Sequence, residues 1–99
     1  MEIKDFPRYF IYPNGRVFST RVYKPLRPIT NKWGLMYVVL QNENGTQAKR
    51  IHRLVAEAFI PNPNSFPRVC HKNEDRSDNT VENLEWRPLL HPKKSRLKS

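Results

Sequence analysis

The chain has 99 residues, 37% of them hydrophobic, which is enough for one domain with a small buried core. Its net charge of +9 favours a polyanionic partner, nucleic acid first and an anionic membrane second. Cys70 is the only cysteine, so an intramolecular disulfide and a multi-cysteine zinc site are excluded. No apolar run has the length of a membrane span, and the N-terminus lacks the pattern of a secretory signal, so we expect an intracellular protein with no membrane partner.

The first half of the chain predicts antiparallel strands. Residues 9–12 and 16–19 flank Pro13-Asn14-Gly15, and Asn-Gly supplies the positive backbone dihedral angles that tight hairpin turns need. Residues 35–41 and 46–51 predict a second antiparallel pair. The cationic side chains on these strands are typical of a β-ribbon that reads DNA, and equally of an ordinary basic sheet face.

One amphipathic helix is predicted next. Its apolar residues recur at helical spacing and would pack on the sheet, and they are Ile51, Leu54, Val55, Ala58 and Phe59. Pro61 and Pro63 end the helix. His52 and Arg53 are then expected at the edge of the packed face or outside it, with His52 as a cap or packing residue.

The rest of the chain predicts two strands, at residues 66–71 and 83–87, around a polar loop at residues 72–80. Pro88 and Pro92 restrict where a last helix begins. The segment 74–85 contains five acids in a basic chain. These acids are a solvated loop, partners of nearby arginines, or neighbours of a cation that bridges to phosphate.

His71 is the histidine best suited to phosphodiester hydrolysis, which needs an activated water and neutralised phosphoryl oxygens. A histidine has a substantial neutral fraction at physiological pH, and only the neutral ring accepts a proton. From the residues alone, a lone histidine at a strand end is also compatible with a purely structural role.

Several segments resemble the HNH homing endonucleases of phages, in the order and spacing of that family. They are His52-Arg53-Leu54-Val55-Ala56-Glu57-Ala58-Phe59, Pro61-Asn62-Pro63, His71, Asn79, and Asn83-Leu84 with Trp86. Residues 6–40 resemble the small motif that often precedes the nuclease domain, through Phe6-Pro7, Asn14-Gly15-Arg16-Val17 and Gly34 with Tyr37-Val38. Together the two resemblances cover roughly residues 5–87.

The resemblance implies an α+β fold, with an N-terminal antiparallel β-sheet and one packed helix followed by a ββα-metal (HNH) nuclease motif. We expect residues 1–50 to form the DNA-binding β region, residues 51–92 the nuclease motif and residues 93–99 a basic tail, all within one compact unit.

The resemblance also implies roles for individual residues. His71 matches the general base, and Asn83 matches the asparagine that orients this base from the opposite strand, whereas Asp78 and Asn79 match a pair that shapes the loop. The metal ligands depart from the family, because Cys70 replaces an Asp or Asn and Pro92 replaces the later ligand. The expected ligands are therefore His91, Cys70 and Asp75. The ion is Mg²⁺ or Mn²⁺, with Zn²⁺ as an alternative because thiolate is a soft ligand.

We thus expect a metal-dependent endonuclease that nicks or cuts double-stranded DNA. Its expected DNA contacts are Arg16, Arg21, Lys24, Lys49, Arg50, Arg53, Lys93 and Lys94. The alternatives are a catalytically degenerate HNH-like protein that binds DNA or regulates genes, and an RNA-binding accessory protein. If a phage encodes the chain, it works in the cytoplasm of an infected bacterial host; whether one copy or two act together stays open.

Overall fold

The structure is a computed structural model that describes residues 1–88, and these residues form three small antiparallel sheets and one α-helix. The first sheet contains β1 (Tyr9–Ile11), β2 (Val17–Ser19) and β3 (Lys24–Pro25). The second sheet contains β4 (Ile29–Thr30), β5 (Met36–Asn42) and β6 (Gly45–Arg50). Helix α1 (Ile51–Phe59) follows, and the third sheet pairs β7 (Arg68–His71) with β8 (Leu84–Arg87).

This architecture confirms the predicted α+β fold class. The two strands of the expected ββα motif are β7 and β8, and a short 3-10 turn at Val81–Asn83 leads into β8. The last helix of that motif was expected from Pro88 or Pro92 onward and lies outside the described residues. Among residues 1–88, no helix has the length and hydropathy needed to cross a membrane.

The predicted hairpin between β1 and β2 is present, with Phe10 opposite Phe18. Its turn closes where the Tyr12 amide donates to the Arg16 carbonyl at 3.0 Å, and Gly15 adopts the positive φ of +85° that the Asn-Gly pattern predicted. The second predicted pair is β5 and β6, whose register runs from Tyr37 opposite Arg50 to the turn.

Helix α1 begins directly after β6 and ends at Phe59, because Ile60 is extended and a proline follows it. The predicted apolar face is buried at Ile51, Leu54 and Val55. The expectation that His52 lies at the edge or outside is wrong: only 9% of it is exposed. The reason is that α1 packs against β7 and β8 as well as against the second sheet, so the side of the helix that carries His52 is also covered.

A single apolar cluster joins all parts of the described chain. It contains Ile3, Phe6, Tyr9, Ile11 and Val17 from the N-terminal segment, Val38 and Leu40 from β5, Ile51, Leu54 and Val55 from α1, and Leu84 from β8. Since a continuous core spans residues on both sides of residue 50, the third sheet is held against the first two through α1. The division of the chain at residue 50 stays a prediction.

Candidate active site

The candidate site is a cleft beside the β7–β8 hairpin, where the start of α1, the loop after His71 and the turn between β4 and β5 meet. His71 is the last residue of β7 and pairs with Leu84 across the sheet. It is half-buried. The cleft is lined by Thr30, Trp33, Gly34, Leu35, Arg50, His52, Arg68, Val69, Cys70, His71, Lys72, Glu74, Asp75, Arg76, Ser77 and Arg87.

Asn79 is the side chain that orients His71. Its Oδ1 lies 2.7 Å from His71 Nε2, while its Nδ2 faces the sulfur of Met36 at 3.6 Å. An amide oxygen can only accept, so in the neutral ring the hydrogen is on Nε2 and the lone pair is on Nδ1. Because Asn79 is itself buried, its hydrogen bond holds the His71 ring in one orientation.

This geometry corrects the expected roles of two asparagines. Asn79 was interpreted as a loop former, but its side chain bonds His71. Asn83 was expected to orient His71, and its buried side chain instead bonds the loop: Nδ2 donates to Asn73 Oδ1 and to the Asp78 carbonyl, both at 2.9 Å, and Oδ1 accepts from the Asn73 amide at 3.1 Å. Asn83 therefore supports His71 indirectly, by shaping the loop that ends at Asn79.

His52 lies directly beside His71, with ring centroids 5.0 Å apart and ring planes inclined by 43°. Burial lowers the pKa of His52 to about 4, helped by the positive charges of His71, Arg50 and Arg53. Its buried Nδ1 has no hydrogen-bond partner among residues 1–88. A neutral His52 thus lines the cleft beside His71, a position that the amphipathic pattern did not indicate.

The expected metal ligands are only partly brought together. The Cys70 sulfur lies 3.4 Å from an Arg68 guanidinium nitrogen, and Asp75 Oδ1 accepts from the Ser77 amide and hydroxyl at 3.0 and 2.6 Å. These bonds from Ser77 lower the pKa of the exposed Asp75 carboxyl, so it is an anion at neutral pH. Within residues 1–88 no three His, Cys, Asp or Glu side chains converge as a metal site, and His91 lies outside the described residues.

The cleft is strongly basic. Its cations are Arg50, Arg68, Lys72, Arg76 and Arg87, against Glu74 and Asp75. Arg68 and Arg87 stand directly opposite each other on β7 and β8, an arrangement of like charges that is unfavourable without an anion. Glu85 pairs with Arg87 at 2.6 Å and raises its pKa, and Arg68 donates to the Pro88 carbonyl at 3.3 Å.

Sequence comparisons identify relatives of one kind. The "Uncharacterized HNH endonuclease L245" of Acanthamoeba polyphaga mimivirus is 38% identical over 102 residues, covering 99% of this chain and 31% of the relative. The "H-N-H endonuclease F-TflII" of Escherichia phage T5 is 30% identical over 84 residues, covering 83% of this chain and 44% of the relative. No family model matches the chain.

The fold agrees with these relatives. A solved structure described as "DNA binding and cleavage by the HNH homing endonuclease I-HmuI" matches with a TM-score of 0.81 and 27% identity, over 89% of this chain and 51% of that one. The chain belongs to the HNH endonuclease family. The chain covers 31% and 44% of the length of these two relatives and 51% of the solved chain. It therefore corresponds to one part of an HNH endonuclease of that size.

Of the DNA contacts expected for this HNH chain, Arg50 is the only one among residues 1–88 that lines the cleft. Arg53 is held by Glu57 at 3.0 Å and by the Pro67 carbonyl at 2.7 Å, and it lies over the Trp86 ring. Arg21 bonds Gln41, and Lys49 lies over Phe6. Arg16 and Lys24 are exposed away from the cleft lining, and Lys93 and Lys94 lie outside the described residues.

The cleft cations that sequence reasoning missed are Arg68, Lys72, Arg76 and Arg87. A signal for them existed: all four lie within sixteen residues of His71, on the two predicted strands and their loop. The structure accounts for three of these acids by local bonds, because Asp75 and Asp78 accept hydrogen bonds from their own loop and Glu85 pairs with Arg87.

Proposed function

We propose that this chain is the DNA-cleaving part of an HNH endonuclease and hydrolyses phosphodiester bonds of double-stranded DNA with His71 as general base. The observation that carries the proposal is the bond between His71 Nε2 and Asn79 Oδ1, in a cleft lined by five cations. A histidine held by one nitrogen, with the other nitrogen free for a proton, has the geometry that a general base needs.

The proposed proton transfer uses His71 Nδ1. A water beside the scissile phosphate loses a proton to Nδ1 as its oxygen bonds to phosphorus, while Nε2–H keeps its bond to Asn79. The bond from phosphorus to the leaving sugar oxygen breaks, and that oxygen takes a proton from solvent. The carboxamide of Asn79 stabilises the imidazolium that forms, since its oxygen points at the N–H. His52 stays neutral beside the ring, because its pKa of about 4 leaves it unprotonated at physiological pH.

Arg68 and Arg87 are the proposed phosphate ligands. They stand opposite each other on β7 and β8, at the other end of the hairpin from the His71–Leu84 pair. A phosphate between them would relieve the repulsion of the two guanidinium groups. Guanidinium groups bind phosphate oxygens in a bidentate manner, so this pair would hold a neighbouring phosphate of the DNA while His71 acts on the scissile one.

A divalent metal ion is expected for this family, but the described residues alone do not make a site for it. Cys70 and Asp75 would need further ligands, such as His91 and the phosphate oxygens of DNA. A soft sulfur ligand favours Zn²⁺ over Mg²⁺, and the carboxylate favours the reverse. We therefore propose a metal requirement without assigning the ion, and the steps above involve only His71, Asn79 and the arginines.

The first experiment is conversion of supercoiled plasmid in Mg²⁺, Mn²⁺, Zn²⁺ or EDTA, with native protein and His71→Ala. We expect metal-dependent nicking that falls by about 10² to 10⁴-fold in His71→Ala, the usual contribution of a general base. Thr20→Ala is a matched control, because Thr20 is a half-buried polar residue just after β2, outside the cleft, whose hydroxyl donates to the Arg8 carbonyl. Equal nicking by native protein and His71→Ala would refute the proposal.

The second candidate is a degenerate HNH-like protein that binds DNA without cutting it. The observation that favours it is the absence of a three-ligand metal cluster among residues 1–88, together with Cys70 at the expected ligand position. Duplex binding with no scission in any metal would support this candidate. In that case Cys70→Asp should create nicking in Mg²⁺, because a hard oxygen replaces the sulfur.

The relatives named above come from a phage and a virus, so we propose that the chain acts on DNA inside an infected cell.

A further inference from the structure

Trp33 is the large apolar side chain that the fold leaves exposed at the mouth of the cleft. It lies in the turn between β4 and β5, and 63% of it is exposed. It lines the same cleft as His71. Because most of the indole is in contact with water, burial in the core does not account for a large apolar side chain at this place.

The turn that carries Trp33 is well ordered by its own bonds. Asn31 Oδ1 accepts from the Trp33 amide at 2.9 Å and from the Leu35 amide at 3.0 Å, and the Asn31 carbonyl accepts from the Gly34 amide at 3.0 Å. Gly34 has a φ of +83°, a conformation that glycine adopts without strain. The indole is therefore presented from a fixed backbone, which lowers the entropy cost of binding something on it.

Arg76 ties this turn to the loop of the general base. Its Nη1 donates to the Trp33 carbonyl at 2.7 Å, and Arg76 is five residues after His71 in the chain. Trp33 and His71 thus belong to one framework, so a ligand on the indole would sit in a defined position relative to His71.

The positive charge around Trp33 indicates which class of ligand would bind there. Lys32 Nζ lies 4.8 Å from the centre of the indole ring, and Arg76 and Lys72 line the cleft next to it. An exposed aromatic ring with cationic side chains around it is suited to bind a polyanion that also has flat apolar faces. Duplex DNA has both, because its phosphates meet the cations and its bases offer faces for stacking.

We propose that Trp33 stacks on a nucleobase of the DNA duplex beside the phosphate that His71 faces, and so sets the position of that phosphate in the cleft. This inference rests on the proposed function for its DNA substrate. Apolar side chains of DNA-bending proteins enter between base pairs in this way and open the step that they contact. Trp33 would act as such a wedge, while Lys32 and Arg76 hold the phosphates on either side.

The test uses the fluorescence of the two tryptophans. Trp86→Phe leaves Trp33 as the only indole, and Trp33→Phe leaves Trp86, whose Nε1 donates to the Ile60 carbonyl inside the fold. A duplex oligonucleotide is titrated into each protein in EDTA, so that cleavage does not interfere, and binding is followed in parallel by the anisotropy of a label on the DNA. We expect DNA to quench the emission of Trp33 and to leave that of Trp86 unchanged.

Affinity and nicking give the second measurement. Trp33→Ala should weaken duplex binding about tenfold, the loss expected for one stacked base, and Trp33→Phe should recover most of it. Tyr23→Ala is the matched control, because Tyr23 is also an exposed aromatic residue but lies outside the cleft lining. It should bind and nick as native protein does.

Each result bears on a separate claim. Unchanged Trp33 emission at saturating DNA, or native affinity in Trp33→Ala, would overturn the stacking proposal even if the protein nicks plasmid normally. Emission that changes with protein concentration in the absence of DNA would also overturn it, since the ring would then be covered by a second copy. Quenching of Trp33 without nicking in any metal would support stacking while it refutes the nuclease.

Discussion

Gly15 lies so close to Asn79 that a Cβ atom built on Gly15 would be 3.0 Å from the Asn79 carbonyl oxygen and 3.1 Å from its Cβ. The turn of the first hairpin therefore rests on the residue that bonds His71. Two residues earlier in the same turn, the Pro13 carbonyl accepts from the Val81 amide at 2.8 Å. The N-terminal hairpin thus positions His71 through Asn79, at a distance of more than fifty residues in the chain.

Gly15→Ala should reduce both stability and nicking. The methyl group meets the Asn79 backbone, and φ at residue 15 is in the left-handed region, which costs a side chain roughly 1–2 kcal/mol. Displacement of Asn79 should lower the nicking rate further than the folded fraction explains. Chemical denaturation and plasmid nicking on the same preparation measure the two effects.

Gly45→Ala is the control for that substitution. Gly45 also has a positive φ, +123°, but nothing lies within 4 Å of its added Cβ. It should lose stability and keep its nicking rate per folded molecule. Equal loss of rate in both variants would mean that contact with Asn79 plays no part.

Asn79→Ala and Asn83→Ala should differ in kind. Asn79→Ala removes the acceptor on His71 Nε2, so we expect a fall in kcat of up to about 100-fold with little change in DNA affinity. Asn83→Ala leaves the Asp78 carbonyl and Asn73 without their buried partner, which should cost about 1–3 kcal/mol of unfolding free energy. Single-turnover rates and urea unfolding separate the two. If Asn83→Ala is fully folded and loses more kcat than Asn79→Ala, then Asn83, and not Asn79, orients His71.

Buried His52 should make the protein lose stability in mild acid. Its pKa falls from 6.5 to about 4 on folding, so between these values the unfolded chain binds more protons than the folded one. The contribution of neutral His52 to the free energy of unfolding is fully present above pH 6.5. It declines as the pH falls from 6.5 through about 4, and the total loss is about 3 kcal/mol. Urea unfolding at pH 7 and pH 5 measures this, and His52→Gln should flatten the difference. An unchanged slope in His52→Gln would assign the acid sensitivity to other groups.

Arg68→Gln and Arg87→Gln should each lower the salt dependence of DNA binding. If each guanidinium neutralises one phosphate, the slope of log K against log salt should fall by about 1 per variant. Lys4→Gln, an exposed cation of the N-terminal segment, should keep the slope. Anisotropy titrations over a series of salt concentrations test this. If both arginine variants keep the salt slope of the native protein, the phosphates that DNA binding neutralises lie elsewhere.

Six of the eight strands within residues 1–88 and the helix could be predicted from the sequence, because hydrophobic periodicity, Asn-Gly at a turn and prolines after the helix are local signals. The two-residue strands β3 and β4 could not, because each is defined only by its pairing with β2 or β5. His71 could be singled out through its chemistry and the family pattern around it. Asn79 and His52 could not, because their roles depend on which parts of the chain meet. Asn79 acts through a bond that forms only when the loop closes, and the burial of His52 depends on β7 and β8 packing on α1.

The contact between the first hairpin and Asn79 also defines the smallest piece that could be moved to another protein. A graft of residues 51–88 would carry His71 and Asn79 but leave behind Pro13 and Gly15, the neighbours that hold that loop in place. It would also lose the Trp33 carbonyl, which accepts a hydrogen bond from Arg76. A transferable form of the proposed nuclease would therefore have to start before Pro13, because the N-terminal hairpin supports the loop that bonds His71.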